Sequence, residues 1–229
     1  MRLILFDVDG TLLSAQGAGR RALGRALEAV YGTRGDLDRY AFPGKTDLSI
    51  VLDVMGATGL TPAAIRDRLD DCFEAYARGL TEEIGDGRGV RVLPGVAELI
   101  RRLQERDDVV LGLLTGNIEE GARIKISPTG LLPAFRTGAY GGDHADRGML
   151  PSLAARRAHA LTGYAFRPPE VLVLGDTPLD VECARGFGAV AVAVATGQYT
   201  VDQLRTRAPD LLFESFADVD RTLAGLLTC

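Results

Sequence analysis

The sequence predicts an α/β fold: a parallel sheet covered by helices, with a helical unit inserted early in the chain. Three observations lead there. Short continuous apolar runs, the pattern of strands buried on both faces, alternate with helical periodicity from residue 96 onward. Residues 14–90 break that rhythm and carry helical patterns without a good strand. The apolar runs also end in Asp, Thr, Asn and Gly, so each strand terminates in a polar turn.

In chain order, the first strand is predicted at residues 3–6, where "LILF" is followed by Asp7 and Asp9, whose spacing of two is expected to turn both to the same face by strand alternation. The insertion then offers three apolar helix faces: Ala18, Ala22, Leu23, Ala26, Leu27 and Val30; Leu48, Val51, Leu52 and Met55; and Ile65, Leu69, Cys72, Phe73 and Tyr76. The glycine-rich "GDGRGVRVLPG" at 85–95 reads as the return linker. A helix at 96–103 places Val96, Leu99, Ile100 and Leu103 on one face. Strands follow at 109–114, 171–174 and 190–194, with shorter runs at 138–141 and 211–213. A helix at 153–161 carries Leu153, Ala154, Arg157, Ala158 and Leu161 on one face. Strand–helix alternation implies right-handed crossovers between parallel strands. The expected division is an α/β core of residues 1–13 and 91–229 and a helical cap of residues 14–90.

Composition excludes several classes. The 229 residues are 46% hydrophobic and 25% charged with a net charge of −5, and no Lys/Arg block is long enough to follow a phosphate backbone, so nucleic acid is not expected as a partner. Cys72, Cys183 and Cys229 are odd in number and far apart, which argues against a disulfide framework or a zinc site and fits a reducing cytoplasm. No apolar run reaches the roughly 20 residues a bilayer span needs, and Asp7 interrupts the N-terminal run too early for a signal peptide, so a cytoplasmic protein without a membrane partner is expected. Monomer and homodimer remain equally open.

Ligands of a parallel sheet bind beyond the carboxyl ends of its strands. Those ends read "DVDGT" (7–11), "TGN" (115–117), "GDTPLD" (175–180) and Thr196-Gly197. Converging carboxylates repel unless a cation or proton lies between them. Oxygen-only ligands favour a hard ion such as Mg²⁺. The competing reading is that "GDTPLDV" and Asn117 are turns and helix caps; it leaves Asp7, at the end of a buried strand, without a purpose.

"DVDGTL" (7–12), "LLTGN" (113–117) and "LGDTPLDV" (174–181), in that order, resemble three of the four motifs of the haloacid dehalogenase-like (HAD) hydrolase superfamily. In overall look the chain is similar to its phosphoglycolate phosphatase-like branch, with a Rossmann-like core and a helical cap after the first motif. The resemblance implies that Asp7 attacks phosphorus and that Asp9 protonates the leaving group and then activates water. It implies Mg²⁺ held by Asp7, the Asp9 backbone carbonyl and Asp176, with Asp180 orienting a water or Asp176. Thr115 and the amides near Gly116 and Asn117 would bind phosphate oxygens, and Gly10 would turn the chain toward the cap. A small phosphorylated metabolite is the implied substrate. A phosphomutase of the same superfamily and a non-catalytic phospho-ligand binding protein are the rival readings.

The remaining motif, a Lys before a Pro, is absent from "GDHADRGMLPSLAARRA" (142–158). Two cations could replace it: Arg147, near the expected position, or Lys125 in "RIKI", about two helical turns into the helix after Asn117. In the cap, "PGKTD" (43–47) resembles part of a phosphate-binding P-loop, but Arg39 stands where that motif needs glycine. Thr46 or Asp47 could cap a helix there, while Lys45 could reach the site mouth. Arg20 or Arg21 could line the entrance or simply face solvent. His144 and His159 are expected to have no catalytic task.

Overall fold

A computed structural model describes residues 1–228; Cys229 lies outside the described residues. The chain begins with β1 (Arg2–Phe6) and a two-residue β2 (Leu13–Ser14). Four helices follow: α1 (Ala18–Tyr31), α2 (Asp47–Ala57), α3 (Pro62–Arg66) and α4 (Leu69–Ile84). The chain returns through β3 (Arg91–Val92), which pairs antiparallel with β2, so a short ribbon joins the helical insertion to the sheet. Then come α5 (Val96–Gln104), β4 (Val109–Thr115), α6 (Glu119–Ile126), β5 (Thr137–Tyr140), α7 (Leu150–Thr162), β6 (Val171–Gly175), α8 (Pro178–Phe187), β7 (Val190–Val194), α9 (Val201–Arg205), β8 (Leu211–Phe213) and α10 (Val219–Thr228).

The six longer strands form one parallel sheet in the order β5-β4-β1-β6-β7-β8. The period-two alternation of β1 divides the core. Ile4 and Phe6 join Leu111, Leu113, Leu172, Leu174, Val192 and Val194 on the face covered by α5, α6 and α10. Leu3 and Leu5 join Val110, Val171, Val173, Ala191 and Ala193 on the face covered by α7, α8 and α9. The first of these clusters runs on through Leu13, Ile118 and Ala122 into the cap helices, including Leu27, Met55, Tyr76 and Leu80. No helix among the described residues is long and apolar enough to cross a membrane.

Every strand read from the apolar runs is present. The β2–β3 ribbon was not foreseen, because two-residue strands leave no periodicity to read. The third cap face is divided between α3 and α4: Thr61 caps α3, and Asp70 and Asp71 favour a fresh helix start by sitting in the first turn of α4, where the helix dipole welcomes negative charge. On α7 the buried stripe is Leu150, Ala154, Ala155 and Ala158; Leu161, grouped with Ala154 and Ala158 by the sequence pattern, is exposed, because the helix starts at Leu150 and its small alanines face the sheet. Cys72 and Cys183 are buried free thiols.

Candidate active site

The parallel register assembles the site. Phe6 lies between Leu113 and Leu174, and the Asp7 amide donates to the Leu174 carbonyl at 2.9 Å. Asp7 therefore emerges between Thr115 at the end of β4 and Asp176 just past β6. The chain bends after Asp7, so β-alternation is not what places Asp9 at the site; Asp9 lines the same cavity, with its side chain 45% exposed and bonded to Lys125 and Asn117 rather than joined to the Asp7 cluster. That is a correction to the strand-based expectation.

Carboxylate oxygens of Asp7, Asp176 and Asp180, all buried, lie within 4.8 Å of one another. Asp9 is not part of this cluster. Arg147, in a single 3₁₀ turn (Arg147–Met149), is the one cation among the described residues that pairs with Asp7 and Asp180. Its Nη2 donates to Asp7 Oδ1 at 3.2 Å and to Asp180 Oδ1 at 2.5 Å. Burial pushes Asp7 up to about 6; Arg147 pulls against this, while Asp180 and Asp9 reinforce it. Asp176 is pushed well above the usual carboxylate range by burial and then by the charges of Asp7 and Asp180. Burial alone would lower the Arg147 pKa, but Asp180 and Asp7 outweigh it and raise it.

The donors fit a hard cation: three buried carboxylates against one guanidinium leave negative charge uncompensated, and every donor is oxygen. They are not equivalent. Asp180 Oδ2 already accepts from the Thr177 amide (3.0 Å) and hydroxyl (2.7 Å) in a capping box at the start of α8, and its Oδ1 is held by Arg147. Asp7 and Asp176 are thus the side chains best able to hold a divalent cation, while Asp180 is bonded to Arg147 and Thr177. Two glycines make the slot for Asp176. A Cβ at Gly10 (φ +84°) would come within 2.5 Å of its Oδ2, and one at Gly197 would overlap it.

Lys125 reaches back along α6, as one of the two alternatives required. Its Nζ donates to Asp9 Oδ2 at 2.6 Å and to Asn117 Oδ1 at 2.6 Å, with none of its bonds to Asp7. Asn117 Nδ2 donates to the same Asp9 oxygen at 2.9 Å and to Thr115 Oγ1 at 2.8 Å. The cap closes this side. Thr46 caps α2, accepting from the Ser49 amide, and its hydroxyl donates to the Ala145 carbonyl. The Asp47 amide donates to the Gly116 carbonyl at 2.7 Å, and its carboxylate accepts from the Ile118 amide at 2.8 Å. Burial raises Asp47 to about 6, with Lys125 and the Ile118 amide opposing. A side chain at Gly116 would overlap the Lys45 carbonyl, so glycine permits the cap to sit this close.

These groups surround a cavity of about 440 Å³, also lined by Lys45, Arg20, Phe42, Tyr76 and Gly19. Lys45 is exposed at its edge. Arg20 lines it too, but its guanidinium donates to the carbonyls of Leu37, Asp38 and Tyr40 and stacks on Phe42, so it braces the 37–42 loop. Arg21 pairs with Glu83 on the surface. His144 and His159 are exposed. The sequence reading did not place Asp47 or Tyr76 in the cavity; a buried acid directly after a helix cap was the available signal.

A parallel α/β core with a helical insertion after its first strand, and a carboxylate cluster at the strand ends, defines a class of hydrolases. Residues 1–188 match the haloacid dehalogenase-like hydrolase family, and the chain belongs to it. It is 27% identical over 237 residues to a phosphoglycolate phosphatase of Synechococcus elongatus, covering 99% of both chains. Its fold is similar to that of a hydrolase from Pseudomonas syringae (TM-score 0.67, 21% identity, 98% of each chain). It is equally similar to CbbY from Rhodobacter sphaeroides in complex with phosphate (TM-score 0.68, 22% identity, 99% of each chain).

Proposed function

We propose that the protein is a Mg²⁺-dependent phosphatase that hydrolyses a small phosphomonoester through an aspartyl-phosphate on Asp7. The observation that carries this reading is the contact between Asp7 and Arg147 inside the buried three-carboxylate cluster. Asp7 is the acid at the end of the central strand. A carboxylate oxygen of Asp7 attacks phosphorus, the bond from phosphorus to the ester oxygen breaks, and Asp9 gives its proton to that oxygen. Water then attacks the phosphorus of the aspartyl-phosphate and gives a proton to Asp9 as the bond from phosphorus to the Asp7 oxygen breaks. Inorganic phosphate leaves, and both carboxyl groups are restored to their starting states. Arg147 neutralises the transferring group; its contacts with Asp7 and Asp180 support it over Lys125 for that task. When bound at Asp7 and Asp176, Mg²⁺ supplies further positive charge against the phosphoryl oxygens. Thr115, Gly116 and Asn117 line the cavity beside Asp7 and suit the remaining phosphate oxygens.

The cavity and the cap pressed against Gly116 support a compact substrate, and the curated relative's name makes phosphoglycolate the first to try. The test is phosphate release, with Mg²⁺, from phosphoglycolate, glycerol phosphate, hexose phosphates and 4-nitrophenyl phosphate. Turnover of at least one without a bisphosphate requirement, abolished by Asp7→Asn in a folded protein, is expected. No turnover across the panel, or an active Asp7→Asn variant, refutes the reading.

A further inference from the structure

Asp9 is the acid–base group of the reaction above, yet nearly half of its side chain is exposed. Packing alone does not fix a carboxylate so placed, and a misplaced proton donor is costly: positional errors near 1 Å far from the chemistry already lose on the order of 10²-fold. Something must hold it. Lys125 is 4% exposed, and among the described residues its ion pair is with Asp9. A buried ammonium is expensive unless paired and hydrogen-bonded, so its placement is determined by this partner.

We propose that Lys125 is a positioning residue for proton transfer. Together with Asn117 it clamps Oδ2 of Asp9 and so leaves Oδ1 as the oxygen that exchanges the proton. The proposal rests on the reading of Asp9 as acid and base. Three observations point the same way. Both side-chain donors to Asp9 among the described residues, Lys125 Nζ and Asn117 Nδ2, converge on one oxygen. The two donors are also bonded to each other through Asn117 Oδ1, so neither can turn independently. None of these bonds reaches Asp7, Asp176 or Asp180, which separates Lys125 from the transferring phosphoryl group.

The cap completes the clamp. Asp47 at the start of α2 accepts from the Ile118 amide, next to Asn117, and its own amide holds the Gly116 carbonyl. At Gly19 on α1 a Cβ would lie 3.1 Å from Lys125 Nζ and 3.3 Å from the Tyr76 hydroxyl, so the glycine leaves the ammonium its room. In the reaction the Asp9 Oδ1 proton passes to the leaving alkoxide as its bond to phosphorus breaks, and Asp9 regains a proton from the attacking water. Lys125 keeps its own protons throughout.

The test exploits leaving-group chemistry. An aryl oxide departs without a proton, whereas an alkoxide needs one. In kcat/KM, which reports steps up to departure of the leaving group, Lys125→Met should lower the best alkyl phosphomonoester of the panel by at least about tenfold, part of the roughly 10²–10⁴-fold that general acid catalysis supplies. The value for 4-nitrophenyl phosphate should stay within about threefold. Retained aryl turnover also shows that the variant is folded. Inhibition by inorganic phosphate should be unchanged.

Equal losses on both substrates together with weakened phosphate inhibition would place Lys125 on the phosphoryl group and overturn the proposal. So would an unaltered alkyl-to-aryl ratio. If Lys125→Met does not fold, Asn117→Ala, which removes the second Oδ2 donor, must shift the ratio in the same direction; an unchanged ratio there also overturns it. Asp9→Ala run in parallel separates the two ideas. If Asp9→Ala shows no alkyl-selective loss, the acid–base reading itself fails. If it does and the Lys125 variant does not, the clamp alone fails.

Discussion

The two charged clusters of this site each set acids against a single cation and differ in how the charge balances. The first (Asp7, Asp176, Asp180 and Arg147) is fixed by the ends of buried strands and the turns that follow them. It holds three acids against one cation, and burial and repulsion raise Asp7 and Asp176. The second (Asp9, Asp47, Lys125 and Asn117) is shared among the turns after β1 and β4, α6 and the cap, and its lysine faces a partly exposed acid. The difference teaches where a cation is missing. A cluster frustrated by its own charge is prepared for an added ion, whereas a cluster whose acid already has its lysine is prepared to hold a geometry.

The largest disruption of the contrast comes from removing its one internal cation. Arg147→Ala should lower kcat by roughly 10²–10³-fold, the range for loss of a preorganised donor to developing charge. Breaking a buried pair from one side costs about 3–5 kcal/mol in stability, reduced here by proton uptake on the carboxylates left behind. Steady-state kinetics and urea unfolding check both.

A second test uses pH in the absence of metal. Asp47 has a folded pKa of about 6 against 3.8 when unperturbed. The folded state therefore binds the proton more tightly. The stability this contributes is fully present below the unfolded pKa and is lost as pH rises through about 6, a change on the order of 3 kcal/mol. Asp47→Asn keeps an acceptor for the Ile118 amide and should flatten the fall in stability between those limits. An unaltered slope would contradict the burial argument.

A smaller effect sharpens the first cluster's need for an ion. Mg²⁺ at a hundredfold excess over its Kd should stabilise the wild type by about 2.7 kcal/mol, on the order of 5–10 °C in Tm for a chain of this size. Asp176→Asn should show no such shift and should be the more stable of the two without metal, because it relieves repulsion with Asp7 and Asp180.

The first cluster was legible in the sequence because strand ends are. Apolar runs fix where β1, β4 and β6 stop, so Asp7, Thr115 and Asp176 could be placed at strand ends from spacing; that they meet followed from the family resemblance, and the pairing of β1 with β4 and β6 shows it. The second was only half legible. Lys125 was visible as a basic residue two turns into a helix, but whether it reached Asp7 or Asp9 depended on the bend after Asp7 and on Asn117. Asp47 looked like a helix cap because its burial against Ile118 is a contact 71 residues apart, with no local pattern to announce it. Arg20 read equally well as an entrance residue or a surface one; only the carbonyls of the 37–42 loop decide its task.

The account depends on phosphoryl transfer to the acid at the end of β1. The direct measurement is peptide mass mapping of enzyme quenched in acid during turnover with Mg²⁺ and substrate. It should find a single added phosphoryl group, labile to hydroxylamine, on Asp7. A phosphoryl group on any other residue, or none under conditions where turnover is limited by its hydrolysis, would contradict it.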